Sequence, residues 1–239
     1  MGLGGDCFAL HYEPQTKKVR CVDGCGRSPA ALSLELIKDQ SESGGQVSGL
    51  QATVPAAAKA WFHIARRFGS GKMAISELFA PAVHYAQHGF PMDHVKQSIW
   101  QLRHTALLEI PGGRYFLDDR SRVPALGQII TNQPLAALLK ASIKFTREGP
   151  QALYKGIVAE NIADAVRRAG GVLSTQDLAD HLASVEPLDV VPATTTYRGN
   201  VNVHTTPLPT QGAVVLQALN ILEGFQLRGS RVTAFHYVV

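Results

Sequence analysis

"GLGGDCFALHYEPQTKKVRCVDG", residues 2–24, decides how the chain begins to fold. A glycine cluster runs into the apolar stretch 7–12, a polar turn with Pro14 follows, and the stretch 19–24 is apolar again. Two short runs of this kind around a polar turn predict an antiparallel hairpin. The glycines pose a choice between a phosphate cradle and a structural turn. A dinucleotide fingerprint needs G-x-G-x-x-G between a strand and a helix. Here Gly2 and Gly4 precede the strand, and Cys7 stands where the third glycine belongs. The stretch therefore reads as a buried turn leading into a central hairpin.

Outward from the hairpin, "CGRSPAALSLELIKDQ" (25–40) offers Ser28 as an N-cap and Pro29 at a first helical position. "SESGGQVSG" (41–49) is a connection by composition. From Pro55 the period becomes helical, with Ala56, Ala60, Ile64 and Phe68 four apart and Gly69 at the end. Residues 74–90 form a second helical stretch with Ser76 as N-cap, in which Pro81 should kink the helix or open its main part. Residues 92–110 give a third, with Val95, Ile99, Leu102 and Ala106 on one stripe, and a turn-rich excursion follows. Helices resume over 132–150, 154–171 and 174–182, the last opened by the capping-box pair Ser174 and Asp177. The Val- and Thr-rich stretch 186–209, broken at Arg198-Gly199-Asn200, reads as two strands, and residues 206–225 turn into a helix with Thr210 as candidate N-cap. The order of strands, many helices, strands and helix, without internal repeats, predicts an α+β chain.

Composition narrows the function. With 45% hydrophobic residues among 239, the chain can bury a real core. Its 23 Lys and Arg against 19 Asp and Glu leave +4, scattered rather than striped, which argues against a nucleic-acid partner. No apolar run approaches the roughly 20 residues of a membrane span, and the N-terminus lacks the basic-then-apolar order of a signal peptide, so the sequence leaves localisation open. Cys7, Cys21 and Cys25 lack paired C-x-x-C spacing and read as small buried residues.

The motifs with chemical potential are weak one by one. "GSGK" (69–72) is a helix-ending turn, because the first glycine of a P-loop would fall on Arg66 and Met73 replaces the magnesium-touching Ser or Thr. His84 and His88 are four apart without a third ligand nearby, so no metal is expected there, and no G-x-S-x-G elbow of a serine hydrolase occurs. Thr194–Thr196, Thr205 and Thr206 could serve as nucleophiles only at a newly cut N-terminus, and in β-rich sequence they read as strand formers.

Four stretches in order carry a more specific signal: "GLGGDCFALHYEPQTKKVRCVDG", "VPAAAKAWFHIARRFG" with "ISELFAPAVHYAQHGFPM", "EGPQALYKGIVAENIADAVRRAGGVLSTQDLADH", and "VEPLDVVPATTTYRGNVNVHTTPLPTQGAVVLQALNILEGFQL". Together they resemble the large-subunit region of γ-glutamyltransferases, the glutathione hydrolase family. The resemblance implies an α+β fold of the N-terminal-nucleophile hydrolase type. This is a four-layer αββα sandwich, of which residues 1–239 would be one partial, helix-rich domain. It also implies a precursor that cuts itself into two subunits, glutathione or another γ-glutamyl compound as substrate, the small subunit as partner, and neither a metal nor an organic cofactor. In the family, the new N-terminal threonine of that small subunit attacks the γ-glutamyl amide with its own α-amine as base. It lies in a T-T-H type motif beyond the Y-R-G and P-x-P region, and "RVTAFHYVV" (231–239) ends before such a motif, so the expectation is that the segment alone is inactive.

One substrate contact of the family is expected on this chain. An arginine after the second strand, in a D-x-R-E-x-A-P type stretch, pairs with the glutamyl α-carboxylate. This sequence reads Asp23-Gly24-Cys25-Gly26-Arg27-Ser28-Pro29, so the arginine lies two residues before the proline and Cys25 stands at the usual place. Arg27 is the candidate substrate-binding residue. It can reach the site, as in the G-R-x-P branch of related glutathione hydrolases and acylases, or it can be a solvated or helix-capping arginine. A non-catalytic binding or regulatory remnant of the family, and a nucleotide-binding protein using the opening glycines, are the rival readings.

Overall fold

The computed structural model describes residues 2–42, 49–110, 112–144, 150–184 and 188–226. They fall into two compact units, one from Met1–Gly69 and Leu153–Val239, the other from Ser70–Ala152.

The first unit opens with the expected hairpin. Strand β1 (Cys7–Glu13) pairs antiparallel with β2 (Lys18–Gly24), in register from Cys7 opposite Gly24 to Glu13 opposite Lys18. The glycine cluster before it is a tight turn closed by Gly5 N–H on Gly2 O at 3.0 Å. Gly2 and Gly4 are exposed, so the turn is half-buried rather than buried as the sequence suggested.

Helix α1 (Leu34–Glu42) starts five residues after Pro29. The Ala30 N–H goes to Asp177 Oδ1 at 2.8 Å and Leu32 N–H turns back to Pro29 O at 3.0 Å, so the chain is committed to a turn there. Ser33 rather than Ser28 holds the helix start, its hydroxyl accepting from Leu36 N–H at 3.4 Å.

A short 3₁₀ turn (Gly49–Gln51) leads to α2 (Ala57–Phe68), which lies on the hairpin through Ala57, Ala58, Ala60 and Phe62. The helix comes so close that a Cβ on Gly24 would stand 2.5 Å from Ala60 Cβ and 2.5 Å from Cys7 O. Gly5 O caps α2, accepting from Ala56 N–H (3.1 Å) and Ala57 N–H (2.8 Å), two donors that the helix itself cannot satisfy. The opening glycines thus serve a helix N-terminus of the fold.

In the second unit, α3 (Ile75–His88) runs through Pro81. Ala74, not Ser76, sits at its start, where the Glu77 carboxylate accepts from Ala74 N–H at 2.6 Å. Strand β3 (Phe90–Pro91) precedes α4 (His94–Leu102), capped by Asp93, whose carboxylate accepts from Lys96 N–H at 2.8 Å. The helix expected over 92–110 is broken at Arg103, and α5 (His104–Glu109) starts there afresh, with His104 Nε2 2.7 Å from Ser121 O. A 3₁₀ turn (Gly113–Phe116) and β4 (Ile129–Ile130) follow, the latter paired with β3. Helix α6 (Gln133–Lys144) packs on α3, with Ala86, Ala136 and Leu139 buried.

The chain then continues through α7 (Gln151–Tyr154), α8 (Gly156–Arg168) and α9 (Thr175–Ala183). The capping box at α9 is complete: Ser174 Oγ accepts from Asp177 N–H at 3.1 Å, and the Asp177 carboxylate accepts from Ser174 N–H at 2.8 Å. Strand β5 (Asp189–Val190) joins β2 antiparallel, Cys21 opposite Val190, giving the sheet order β1-β2-β5. Asp189 is held from α2 by His63 Nε2 at 2.8 Å and Arg67 Nε at 3.5 Å.

A second hairpin, β6 (Ala193–Tyr197) with β7 (Val201–Thr205), carries α10 (Gly212–Leu222). Thr210 stabilises the turn before α10 more than the helix itself, its hydroxyl lying 2.9 Å from both Thr206 O and Pro207 O and 3.4 Å from Gly212 N. In this first unit the largest fully buried side chains are Tyr154, Leu178, Val22, Val54 and Cys21.

Candidate functional site

Arg27 follows β2 on a segment whose course is fixed at each step. Asp23 Oδ1 accepts from Cys25 N–H at 2.9 Å, and Asp6, from the glycine turn, accepts from Gly26 N–H at 2.8 Å. A Cβ on Gly26 would meet Val54 O at 1.9 Å, so only glycine lets the segment pass the strand-like stretch before α2. Val54 N–H donates to Arg27 O at 2.9 Å, and Asp177 holds Ala30 N–H beyond it. The exposed Arg27 side chain is therefore carried on a backbone anchored on both sides.

This segment borders a cleft of about 130 Å³ inside the first unit. Its polar lining is Asp23, Cys25, Arg27, Lys59, His181 and Ser184, and Leu188 and Val190 give it an apolar wall. The Lys59 ammonium donates to His181 O (2.6 Å), Ser184 O (2.9 Å) and Ser184 Oγ (2.8 Å). Beneath it, Tyr154 OH donates to Pro55 O at 2.6 Å, accepts from Lys59 N–H at 3.3 Å, and its ring lies 5.3 Å from that of His181. Burial pushes the Tyr154 phenol up to about 12, so it stays neutral and serves as a fixed hydrogen-bonding post.

Among the described lining residues, two cations stand beside one carboxylate, which suits a small anion. The planar guanidinium can form two parallel hydrogen bonds to a carboxylate, and a space of this size admits the carboxylate end of an amino acid rather than a nucleotide. Among the described lining residues, Cys25 is not an activated nucleophile. Burial raises the Cys25 thiol, and the Asp6 and Asp23 carboxylates add to the shift, which keeps it protonated at neutral pH. Cys7 and Cys21 are likewise raised by burial, and all three thiols are free. Cys21 is fully buried, whereas Cys7 and Cys25 are half-buried, which corrects the expectation for those two.

Of the threonines named from the sequence, Thr194–Thr196 and Thr205 are strand residues, whereas Thr206 follows β7 with its hydroxyl 2.7 Å from that of Thr210. Thr194 Oγ1 is 2.9 Å from His204 Nδ1 across β6 and β7, Thr195 Oγ1 donates to Asn220, and Thr196 Oγ1 donates to Asn202. The "GSGK" stretch follows the end of α2, where Gly69 takes φ −65° and ψ 148°. The rings of His84 and His88 lie 4.7 Å apart, and among the described residues no group of three His, Cys, Asp or Glu side chains is placed to hold a metal ion.

Arg27 stands out in the sequence, whereas its companions do not. Asp6, Lys59, His181 and Ser184 belong to no motif, and only the fold brings positions 6, 59 and 181–184 to residue 27. One signal was present: Lys59 is the single charge in the run Ala56–Ala60, whose alanines are all nearly inaccessible.

Comparison with known proteins places this arrangement. The sequence model described as Gamma-glutamyltranspeptidase matches residues 1–239. The Glutathione hydrolase-like YwrD proenzyme of Bacillus subtilis is 28% identical over 99% of this chain and 43% of its own length. The chain spans less than half the length of the curated relatives it matches. The crystal structure of Helicobacter pylori gamma-glutamyltranspeptidase superposes with a TM-score of 0.84 at 20% identity, covering 99% of this chain and 67% of that one, a likeness of fold. Cephalosporin acylase from Bacillus halodurans superposes at 0.80 with 28% identity, over 99% of this chain and 44% of that one. The architecture is thus the α+β arrangement of N-terminal-nucleophile hydrolases, represented here by an incomplete, helix-rich part. With the family's model aligned along its whole length, the chain belongs to the γ-glutamyltranspeptidase family.

Proposed function

We propose that residues 1–239 supply the carboxylate-recognising part of an enzyme that hydrolyses glutathione and other γ-glutamyl amides and transfers the γ-glutamyl group, with Arg27 as the cation that pairs with the glutamyl α-carboxylate. The observation that carries this reading is the anchored Asp23–Ala30 segment, which sets Arg27 at the cleft shared with Lys59. The chemical step belongs to a threonine with a free α-amine, supplied by the small subunit of the same precursor. Its hydroxyl adds to the γ-carbonyl, the amine leaves with a proton, and water or an acceptor amine then releases the acyl group. This chain's own residues bind and orient the substrate, and no residue on it is assigned a catalytic role.

A second reading concerns the acyl group. The guanidinium stands two positions from the family's usual place, with Cys25 there instead, and a cephalosporin acylase is among the relatives of this fold at 28% identity. Both observations favour an enzyme whose acyl group differs from γ-glutamyl.

The test of activity is direct. Residues 1–239, assayed alone with a γ-glutamyl anilide, should give no turnover above background, and clear turnover would contradict the assignment of the nucleophile to another segment. Competition between glutathione and an aliphatic dicarboxylic monoamide for binding decides between the two acyl groups.

A further inference from the structure

Lys59 stands where a charge is costly. Its neighbours Ala57, Ala58 and Ala60 are each at most 1% exposed, and the lysine itself is half-buried. Helix α2 packs on the hairpin, with Ala60 against Gly24, and the Lys59 ammonium, turned toward α9, must be compensated by hydrogen bonds. The compensation comes from the C-terminal end of α9: His181 O, Ser184 O and Ser184 Oγ, with Ser184 Oγ also donating to His181 O at 2.9 Å. These carbonyls lie at the negative end of the α9 dipole, in the last turn where helical carbonyls have no partner within the helix. His181 and Ser184 line the same cleft as Arg27. Without a cation this part of the cleft wall would present carbonyl oxygens and a negative dipole end to any anion that entered. With the ammonium in place the same wall is positive.

We infer that Lys59 is an electrostatic positioning residue that converts the α9 side of the cleft from an anion-repelling wall into one that accepts the carboxylate paired with Arg27, and so selects ligands carrying a free carboxylate. The inference rests on the proposed role of the cleft. It names a determinant that the displaced arginine makes necessary: a guanidinium on an exposed side chain holds an anion weakly by itself, because solvent screens it. A second fixed positive charge, held by three hydrogen bonds, makes the local potential more favourable to an anion without a cost of ordering when the ligand arrives.

The test uses the full chain and the variants Lys59→Met, Lys59→Arg and Arg27→Ala, titrated with glutathione and with its α-amide at low and moderate salt. Circular dichroism and melting curves confirm that each variant folds. Lys59→Met keeps the aliphatic stem and removes the charge. Glutathione should bind it about 3- to 10-fold more weakly, with a flatter salt dependence, while the α-amide binds both proteins alike. Lys59→Arg should restore most of the affinity, a rescue that a merely structural role for the alkyl stem would not give. Unchanged glutathione affinity and salt slope in Lys59→Met, with Arg27→Ala weakened, would overturn the inference alone. Unchanged affinity in Arg27→Ala as well, or no binding by the parent chain, would overturn the reading of the cleft and the inference with it.

Discussion

Among the residues that shape the site, Gly26 is the least replaceable. The contact it would make as alanine is with the backbone carbonyl of Val54 at 1.9 Å, which no side-chain rotation relieves. Gly26→Ala should cost about 2 kcal/mol or more, read as a lower denaturation midpoint, and should disturb Arg27 through the same backbone. Cys25 gives a chemical readout of its surroundings. With burial and two carboxylates raising its thiol, alkylation by iodoacetamide at pH 8 should be slower than for an unstructured cysteine peptide, and Asp6→Asn should speed it; a rate equal to the peptide's would show that the thiol is not surrounded as described. Tyr154 gives a pH signature with a definite sign. Its phenol titrates at about 12 in the fold against 10.0 unfolded, so its contribution is complete below pH 10 and is lost as pH rises toward 12. The shift comes from burial, which penalises the phenolate, so Tyr154→Phe should show a shallower fall in melting temperature across that alkaline window; at neutral pH it should lie about 1 kcal/mol below the parent through loss of the hydrogen bonds to Pro55 O and from Lys59 N–H.

Elements were legible in the sequence where local chemistry alone decided them. The hairpin β1–β2 and the capping box at Ser174 and Asp177 are found where the residues put them, because alternation and reciprocal capping need no distant partner. The start of α1 was not legible, since the chain after Pro29 closes a turn, Leu32 N–H on Pro29 O, beside an Ala30 N–H held by Asp177 from 147 residues away, and Ser33 caps the helix instead. The same aspartate joins a helix cap to the Arg27 segment. Burial works against its ionisation, but hydrogen bonds from the Ser174 hydroxyl, the Ala30 N–H and the Ser174 N–H outweigh it and hold its carboxyl below the usual range. Asp177→Ala should cost about 1–2 kcal/mol as a lost cap. The part due to its ionised form is present above the ordinary carboxylate range and is lost as pH falls below it, so the difference between variant and parent should shrink in acid. The break at Arg103 was equally hidden, because one apolar stripe continues through Val95, Ile99 and Leu102 into the next helix, and nothing in that periodicity marks the break.

For the whole molecule, what the sequence could not supply was the convergence of distant positions on one cleft. Arg27 was found because a family pattern pointed to it, while Lys59 and the end of α9 reach it only through the packing of α2 on the hairpin and of β5 on β2. The same scale explains the apolar surface. Val214, Val215 and Ile221 of α10 are each more than half exposed, as are Val95, Ile99 and Leu102 of α4. Residues 1–239 alone should therefore bind a hydrophobic dye and self-associate in light scattering as concentration rises, and a monodisperse monomer without dye binding would contradict that. The central claim is that this family member recognises its substrate's carboxylate at Arg27. Titration of ¹⁵N-labelled chain with glutathione tests it most directly. The account predicts saturable shifts at Asp23–Arg27 and Lys59 and binding about tenfold weaker in Arg27→Ala; shifts confined to other residues, or equal affinity in the variant, would contradict it.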